Sequence, residues 1–425
     1  MIIVIITVMI DSEIGIVADF IPEQISSMWG IGVFLGIAII FVVSQYFILS
    51  YLKQINKENK TRIRHLGITY TIVSIVQCVL AGILAFIIMQ ILTGQQYNLI
   101  TLYVSHVISY GLWIITLGFL GGALFSWFRR SNQNVMILIL TLSMVTYVVN
   151  GFTSLTSNLD ILMQQKAVIL STNVAYFPEF SIVSLGSQIT LVNQIASSIA
   201  YVLTWIGTVK LLYPYIQKFG KFKFWSIMST AMVYYLVYFP FFVFGYFTPS
   251  ENIDAITNIL IFSLSGIFTG VVFGAAFLSV ARTLNKKTIL RNNMINAAYG
   301  LLLFYISGSA MVAQAAYPPY GLVSMSFTGL ACYFIYSGLY SSAVIVSQDS
   351  NLRQSIKKTV TEQSKLLESI GTAYMQQELE SKVLTVAKKK SDLMEEKTGI
   401  ESSMTENEIK EYIEMVTNEI HKSRF

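Results

Sequence analysis

The run YGLVSMSFTGLACYFIYSGLYSSAVIV extends from Tyr320 to Val346 and contains no charged residue. It is long enough to cross a bilayer as one helix, which takes about 20 apolar residues. Charged residues begin directly afterwards, with Asp349 and Arg353, and continue to the end of the chain. We therefore expect the chain to leave the hydrocarbon of the membrane and enter water near residue 347. We expect the last membrane helix to continue into the aqueous phase as one charged helix.

The composition divides the chain at the same point. Of the 425 residues, 54% are hydrophobic and 12% are charged, whereas soluble domains carry about 25% charged residues. The segment after residue 346 holds 26 of the 51 Asp, Glu, Lys and Arg residues. The first 346 residues are thus typical of a multi-pass membrane protein. The net charge of +5 fits a membrane orientation signal, and we expect no nucleic-acid partner.

Nine apolar runs have the length of a membrane span. Backbone groups in lipid must be satisfied within each segment, and the alternation of a β-barrel is absent, so the runs predict helices. We expect an all-α polytopic bundle embedded in the lipid bilayer. The predicted spans are Trp29–Leu52, Leu66–Leu92, Asn98–Phe128, Asn134–Ser157, Gly186–Val209, Trp225–Phe247, Asn258–Ala281, Asn293–Tyr317 and Tyr320–Val346.

The basic residues of the connections predict the orientation. Connections on one side of the nine spans carry 15 Lys and Arg residues, among them the pair Arg129 and Arg130. The opposite side carries one, Lys166, together with eight acidic residues. Because cytoplasmic connections are enriched in Lys and Arg, the N-terminus is expected outside and the tail in the cytoplasm of a cell-membrane protein.

The spans divide the chain into three parts. Residues 1–27 predict an outer-face segment, amphipathic or extended, because its apolar run is too short to span. Residues 28–347 form the bundle, and residues 158–185 form a long apolar outer connection that predicts a small cap. The last outer turn is set by Pro318 and Pro319, which cannot continue a helix. Residues 348–425 form the cytoplasmic tail.

The predicted spans contain no Asp, Glu, Lys or Arg, so full charge is not expected inside the membrane. A histidine within a span is a functional candidate by default, but a neutral histidine bonded to a neighbouring hydroxyl or carbonyl is the alternative. Span amides either join helices or line a polar cavity. The candidate intramembrane polar site consists of His106, Gln77, Asn150 and Gln194. We expect no metal and no cofactor.

Two further patterns lie in spans six and seven. Pro240 is expected to kink its helix amid many aromatic residues, which indicates either interfacial aromatics or an apolar ligand pocket. The residues of that candidate pocket are Tyr238, Phe241 and Phe244. In span seven, glycines four residues apart leave one helix face bare, which favours close helix packing. These glycines are Gly266, Gly270 and Gly274.

The tail has helical periodicity. Apolar residues recur every three or four positions from Leu352 onwards, which predicts an amphipathic helix reaching Lys390. Thr398 and Gly399 end it, and a capping box at Thr405 opens a second helix. The apolar stripe of this second helix must be buried on the first tail helix, on another copy or on a cytosolic signalling partner. It consists of Ile409, Tyr412, Ile413, Val416 and Ile420. We expect a helical hairpin, in the manner of a coiled coil, or a homodimer.

Three stretches resemble an archaeal family of multi-pass membrane proteins of unassigned function. They are Gln314–Gly321, Asp349–Arg353 and Lys365–Gly371, and the likeness is best over about the last 170 residues. The layout is also similar to the sensory halves of membrane histidine kinases, although the kinase half is missing, so this likeness covers architecture only. The resemblance implies a sensor-like module with a short tail and supplies no catalytic residues.

Two function classes fit these patterns. The first is a sensor or scaffold in which the bundle is coupled to a tail that docks a partner or dimerises. The second is a transporter or membrane enzyme acting on an uncharged or lipidic substrate, which would need a cavity near His106 and the span amides. No catalytic residues are indicated, and the first class accounts for more of the chain.

Overall fold

Every described element of regular structure in the computed structural model is helical, which confirms the all-α class. The described residues are 2–17, 27–60, 64–93, 99–130, 134–165, 185–233, 252–284, 288–308, 319–358, 362–398 and 415. A 3-10 turn, Tyr213–Tyr215, precedes α7. The helices are α1 (Ile2–Val17), α2 (Met28–Lys60), α3 (Arg64–Leu92), α4 (Leu99–Arg130), α5 (Val135–Gln165), α6 (Leu185–Leu212), α7 (Ile216–Phe219), α8 (Lys221–Val233), α9 (Asn252–Thr283), α10 (Ile289–Gly308), α11 (Leu322–Gln348), α12 (Ser350–Lys358) and α13 (Glu362–Thr398).

Six of the described helices are long and apolar enough to cross a membrane, so the chain is a multi-pass membrane protein. They are α2 to α6 and α11. The other three predicted spans coincide with α8, α9 and α10. Residues 234–251 and 309–318, which would complete two of these spans, lie outside the described residues, and within α9 the described apolar stretch is the shorter Gly266–Arg282.

Helix α11 is the centre of the bundle. It contacts α1, α2, α3, α4, α10, α12 and α13, and 89% of its most apolar window is buried. In the other five candidate spans no more than half of the corresponding stretch is buried. Small residues on α11 allow its neighbours to approach closely.

The contact between α10 and α11 depends on glycine. A Cβ placed on Gly338 would lie 2.6 Å from the carbonyl oxygen of Asn293, and one on Gly300 would lie 2.7 Å from the backbone nitrogen of Ile335. Both distances are well below van der Waals contact, so only a residue without a side chain fits. In lipid, where apolar burial does not favour one helix face over another, such close backbone packing holds helices together.

Helix α1 lies against α2, α9, α10 and α11 near the residues where α11 begins. Its buried stripe follows helical spacing and consists of Val4, Thr7, Val8, Asp11 and Ser12. The sequence predicts an amphipathic or extended segment here, and in the structure residues 2–17 form a helix with one face covered by the bundle. We call this the α1 end of the bundle and the opposite end the α13 end.

Two boundaries differ from the expected ones. Residues 158–165, expected to begin the outer cap, continue helix α5, and the remaining cap residues before Leu185 lie outside the described residues. The expected continuous helix from the last span into the tail is wrong: Asp349 has extended backbone geometry and separates α11 from α12. Further along the tail, α13 lies against the bundle, in contact with α4, α5, α6, α9 and α11.

Candidate functional site

The structure does not gather the four residues of the predicted intramembrane polar site. Gln77 lies on α3, His106 on α4, Asn150 on α5 and Gln194 on α6. Gln194 is half-buried, and its carbonyl oxygen accepts a hydrogen bond from Ser198 one turn later. Gln77 belongs to a contact with α2 and α11. His106, Asn150 and Gln194 lie on successive helices, of which α4 contacts α5 and α5 contacts α6.

Gln77 joins three helices. Its side-chain oxygen accepts a hydrogen bond of 2.9 Å from Nε2 of Gln45 on α2, and its own Nε2 donates to the carbonyl oxygen of Ser326 on α11 at 3.1 Å. Gln77 is fully buried. Hydrogen bonds from side-chain amides to a neighbouring helix contribute about 0.6–2 kcal/mol each in a membrane protein. The geometry of Gln77 is therefore that of a helix-joining residue.

His106 begins a column of buried rings along α4. Its Nδ1 lies 2.8 Å from the carbonyl oxygen of Leu102, and its ring stacks on Tyr110 with 6.1 Å between ring centroids. The Tyr110 hydroxyl accepts a 2.7 Å hydrogen bond from Nδ2 of Asn158 on α5, and Tyr110 stacks in turn on Trp113. The column links α4 to α5 inside the bundle.

Four buried polar atoms around this column have no hydrogen-bond partner among the described residues. They are Ser109 Oγ, Trp113 Nε1, Asn150 Oδ1 and Thr328 Oγ1. We call these four residues the polar seam; they lie on α4, α5 and α11. An unsatisfied buried donor or acceptor costs about 1–3 kcal/mol, so such groups are candidates for binding a ligand or water.

The polar seam is closely packed by side chains. A Cβ on Gly151 would lie 3.2 Å from Cε2 of Trp113, and one on Gly329 would lie 2.9 Å from Cδ2 of Leu112. Sequence reasoning identified Asn150 here but missed Trp113 and Thr328. Nothing in a linear sequence shows that their polar atoms lack partners, because the partners would come from distant helices.

A cleft opens nearer the α13 end, between α2, α3, α10 and α11. It has a volume of about 10 Å³ and is lined by Leu52, Ile55, Leu66, Asn293, Asn296, Tyr333, Ser337 and Ser341. The Tyr51 hydroxyl donates a 3.0 Å hydrogen bond to Oδ1 of Asn296 beside it. A buried water needs about 10–15 Å³, whereas sites for organic ligands usually enclose about 300–1,000 Å³, so this cleft has room for no more than about one water.

Helix α13 makes several polar contacts with the bundle. Nε1 of Trp127 donates to Oε1 of Gln377 at 3.0 Å, and the Arg130 guanidinium bonds Oε2 of Glu380 at 2.8 and 3.1 Å. Both Arg130 and Glu380 are about three-quarters buried. A charge-assisted, partly desolvated pair fixes the position of one helix on another better than an exposed pair does.

Apolar packing supports the same contact. Trp127 is fully buried and its ring lies against both Tyr340 and Tyr374. A side chain on Gly371 would collide with Val346, so α13 crosses the end of α11 at van der Waals distance. On the next helix, Nδ2 of Asn134 donates to Oγ of Ser369 at 2.7 Å. We call this set of contacts the α13 contact.

The remaining candidates divide between described and undescribed residues. A Cβ on Gly270 would lie 2.9 Å from the carbonyl oxygen of Leu302, and one on Gly274 would lie 3.0 Å from that of Ala298. These glycines thus face α10, and Gly266 lies one turn earlier on α9. Pro319 is buried. Outside the described residues lie Tyr238, Pro240, Phe241, Phe244, Pro318, Ile409, Tyr412, Ile413, Val416 and Ile420.

Among the described residues, no three His, Cys, Asp or Glu side chains converge in the manner of a metal site. No family model, curated protein or solved structure matches this chain. The resemblance noted from the sequence therefore stays a prediction and carries no argument below.

Proposed function

We propose that this protein is a membrane sensor or scaffold module whose bundle is mechanically coupled to a cytoplasmic helical tail. The observation that carries the proposal is the α13 contact: one tail helix lies against the ends of α4, α5, α6, α9 and α11. A rearrangement of these helices must move α13 or break its contacts. Packed interfaces of this kind change between discrete arrangements and do not deform continuously.

The topology proposed with this function is nine spans with the N-terminus outside. The charge asymmetry of the connections supports it, and the α13 end is then the cytoplasmic end. Arg130 lies at that end, where its positive charge both follows the positive-inside rule and pairs with Glu380. The beginning of α13 is held at the membrane surface, and its remainder is presented to a cytosolic signalling partner.

Coupling is tested by perturbing the bundle far from the tail. We expect Gly329→Ala, which forces α11 away from Leu112 and Ser109, to increase amide hydrogen exchange in residues 366–380 several-fold in nanodiscs. Gly82→Ala is the matched control, because a Cβ there meets nothing within 4 Å. Equal exchange in both variants, with both shown to be monodisperse and helical, would overturn the proposal.

A second control isolates the route of coupling. Arg130→Glu breaks the pair with Glu380, so the tail of this variant should exchange rapidly and respond no further to Gly329→Ala. Adding Glu380→Arg restores the opposite charges and should restore the response. Lys382 and Glu378 form an exposed pair four residues apart on α13. Reversing the charges of this pair is the control, because it leaves the contacts with the bundle unchanged.

The second candidate function is a transporter or membrane enzyme for an uncharged or lipidic substrate. The polar seam favours it, because its four atoms could bind a ligand that carries both donors and acceptors. Neighbouring side chains fill the space beside Gly151 and Gly329. A substrate would therefore first have to separate α4 from α11. For this reason the coupling function is the better supported proposal.

A further inference from the structure

The second half of α13 carries an apolar face that nothing described in the structure covers. Leu379, Val383, Val386 and Leu393 are between 42% and 55% exposed, and their spacing of four, three and seven residues places them on one side of the helix. We call these four residues the distal face. An exposed apolar stripe on a helix in water requires a partner.

We propose that the chain's own last segment, residues 405–420, covers the distal face as an antiparallel helix. The apolar stripe of this segment comprises Ile409, Tyr412, Ile413, Val416 and Ile420. Six residues, 399–404, separate the end of α13 from the capping box at Thr405. Connections of about two to eight residues are usual between antiparallel helices, so the segment can turn back without strain.

The two stripes match in register. When Leu393 is set opposite Ile409, Val386 falls opposite Val416, because each pair is separated by seven residues, or about 10.5 Å along its helix. Val383 then faces Ile420 within one residue. Three apolar pairs therefore form in a single antiparallel arrangement, without a shift of either helix.

The two segments carry opposite net charge. Residues 401–419 contain six glutamates and one lysine, whereas the distal half of α13 exposes Lys388, Lys389 and Lys390. Opposite net charge favours the association of the two segments.

A second copy of α13 fits the distal face less well. Lys390 lies within the stripe, between Val386 and Leu393. A parallel pair of identical helices in register would therefore oppose Lys390 with Lys390 inside the contact. Like charges in that position are repulsive. The acidic segment of the same chain avoids this repulsion, and its attachment six residues away gives it a high effective concentration.

The test is a disulfide in the full-length protein in nanodiscs, with the lipid-facing Cys78 replaced by alanine. We expect Val386→Cys with Val416→Cys to form an intrachain disulfide under mild oxidation, because facing positions of packed helices come within disulfide reach. Val386→Cys with Asn418→Cys is the matched control, since residue 418 lies on the opposite side of its helix. That control should form at least tenfold less disulfide.

Charge reversal extends the test. Replacing Lys388, Lys389 and Lys390 by glutamate should slow the disulfide several-fold, and adding Glu411→Lys with Glu414→Lys should restore the rate. Chains with single cysteines, mixed under two different tags, show whether the bond forms between copies. Cross-linking between tagged chains, or equal disulfide in the control pair, would overturn the proposal.

Discussion

At the scale of single residues, Asp11 shows how a buried charge is tolerated at the α1 end. One of its carboxylate oxygens accepts hydrogen bonds from the backbone N–H and the hydroxyl of Ser324, at 2.8 and 2.9 Å. Ser324 is in the first turn of α11, where N–H groups lack helical partners and the helix dipole favours negative charge. Gly321, with φ +85°, provides the left-handed residue that starts this helix.

Burial nevertheless dominates the titration of Asp11, which lies in α1 and outside the candidate spans. Desolvation raises the pKa of the carboxyl to about 6, and the hydrogen bonds from the start of α11 oppose this increase. The folded protein therefore binds a proton between about pH 6 and the ordinary value of 3.8, where the unfolded chain does not. This contribution to stability grows as pH falls below 6 and is lost as pH rises through 6.

We predict that Asp11→Asn removes this pH dependence. Asparagine keeps an acceptor oxygen for Ser324 but cannot ionise, so the variant should be more thermostable than the wild type at pH 7. Between pH 7 and pH 5 the free energy of unfolding of the wild type should increase by about 1.4 kcal/mol, the equivalent of one pKa unit. The stabilities of the two proteins should therefore converge. Melting of both proteins in the same detergent at the two pH values is the measurement. Parallel pH profiles would contradict the prediction.

At the scale of elements, Asp349 decides where the membrane helix ends. Its extended backbone stops α11. Its side-chain oxygen accepts a 2.9 Å hydrogen bond from the N–H of Leu352, in the first turn of α12. By periodicity and charge alone, Asp349 is expected to be the first charged residue of a continuous helix. Aspartate favours helix starts because its side chain replaces the missing acceptor for the first N–H groups, and this local preference overrides the helical periodicity on either side.

We predict that Asp349→Ala weakens α12. Loss of an N-terminal capping side chain costs about 1 kcal/mol, which corresponds to about fivefold faster amide exchange in residues 350–356 if these amides exchange by local opening. Ser350→Ala is the control, because Ser350 is exposed and lies directly beside the cap. Hydrogen exchange by mass spectrometry compares the two variants, and unchanged exchange in Asp349→Ala would refute the capping role.

The α13 contact was not evident from the sequence for a related reason. Gln377 is a polar residue in the predicted amphipathic tail helix, and in the structure it bonds to Trp127 and marks the inner side of α13. Polar residues on a buried helix face are informative only when the partner is known. Here that partner is 250 positions away in the chain.

At the scale of the whole molecule, the α1 end and the α13 end carry different chemistry. The α1 end buries Asp11 against α11, and the α13 end holds the ion pair of Arg130 and Glu380. Helix α11 extends between them, buried along nearly all of its length. Because its neighbours contact it at glycine positions, displacement of α11 at one end is expected to alter its packing at the other.

The proposed topology predicts which single cysteines an impermeant maleimide labels in intact cells. Cysteines at residues 251 and 96 should be labelled from outside, and those at residues 286 and 220 should be labelled only after lysis. The pair 220 and 251 is decisive, because it tests whether Trp225–Phe247 crosses the membrane. Labelling of both residues from the same side would leave eight spans and reverse the tail.

The sequence by itself determined the all-α class and the multi-pass membrane character of the chain. Those properties depend on local hydropathy, on capping residues and on charge, which are additive along a chain. Only the tertiary structure decided that α1 packs into the bundle, that Gln77 joins α2 to α11 and that α13 turns back onto Trp127 and Arg130. In lipid, apolar burial does not specify which helix faces meet, so partners are chosen by glycine contacts and single polar bonds between residues far apart in sequence.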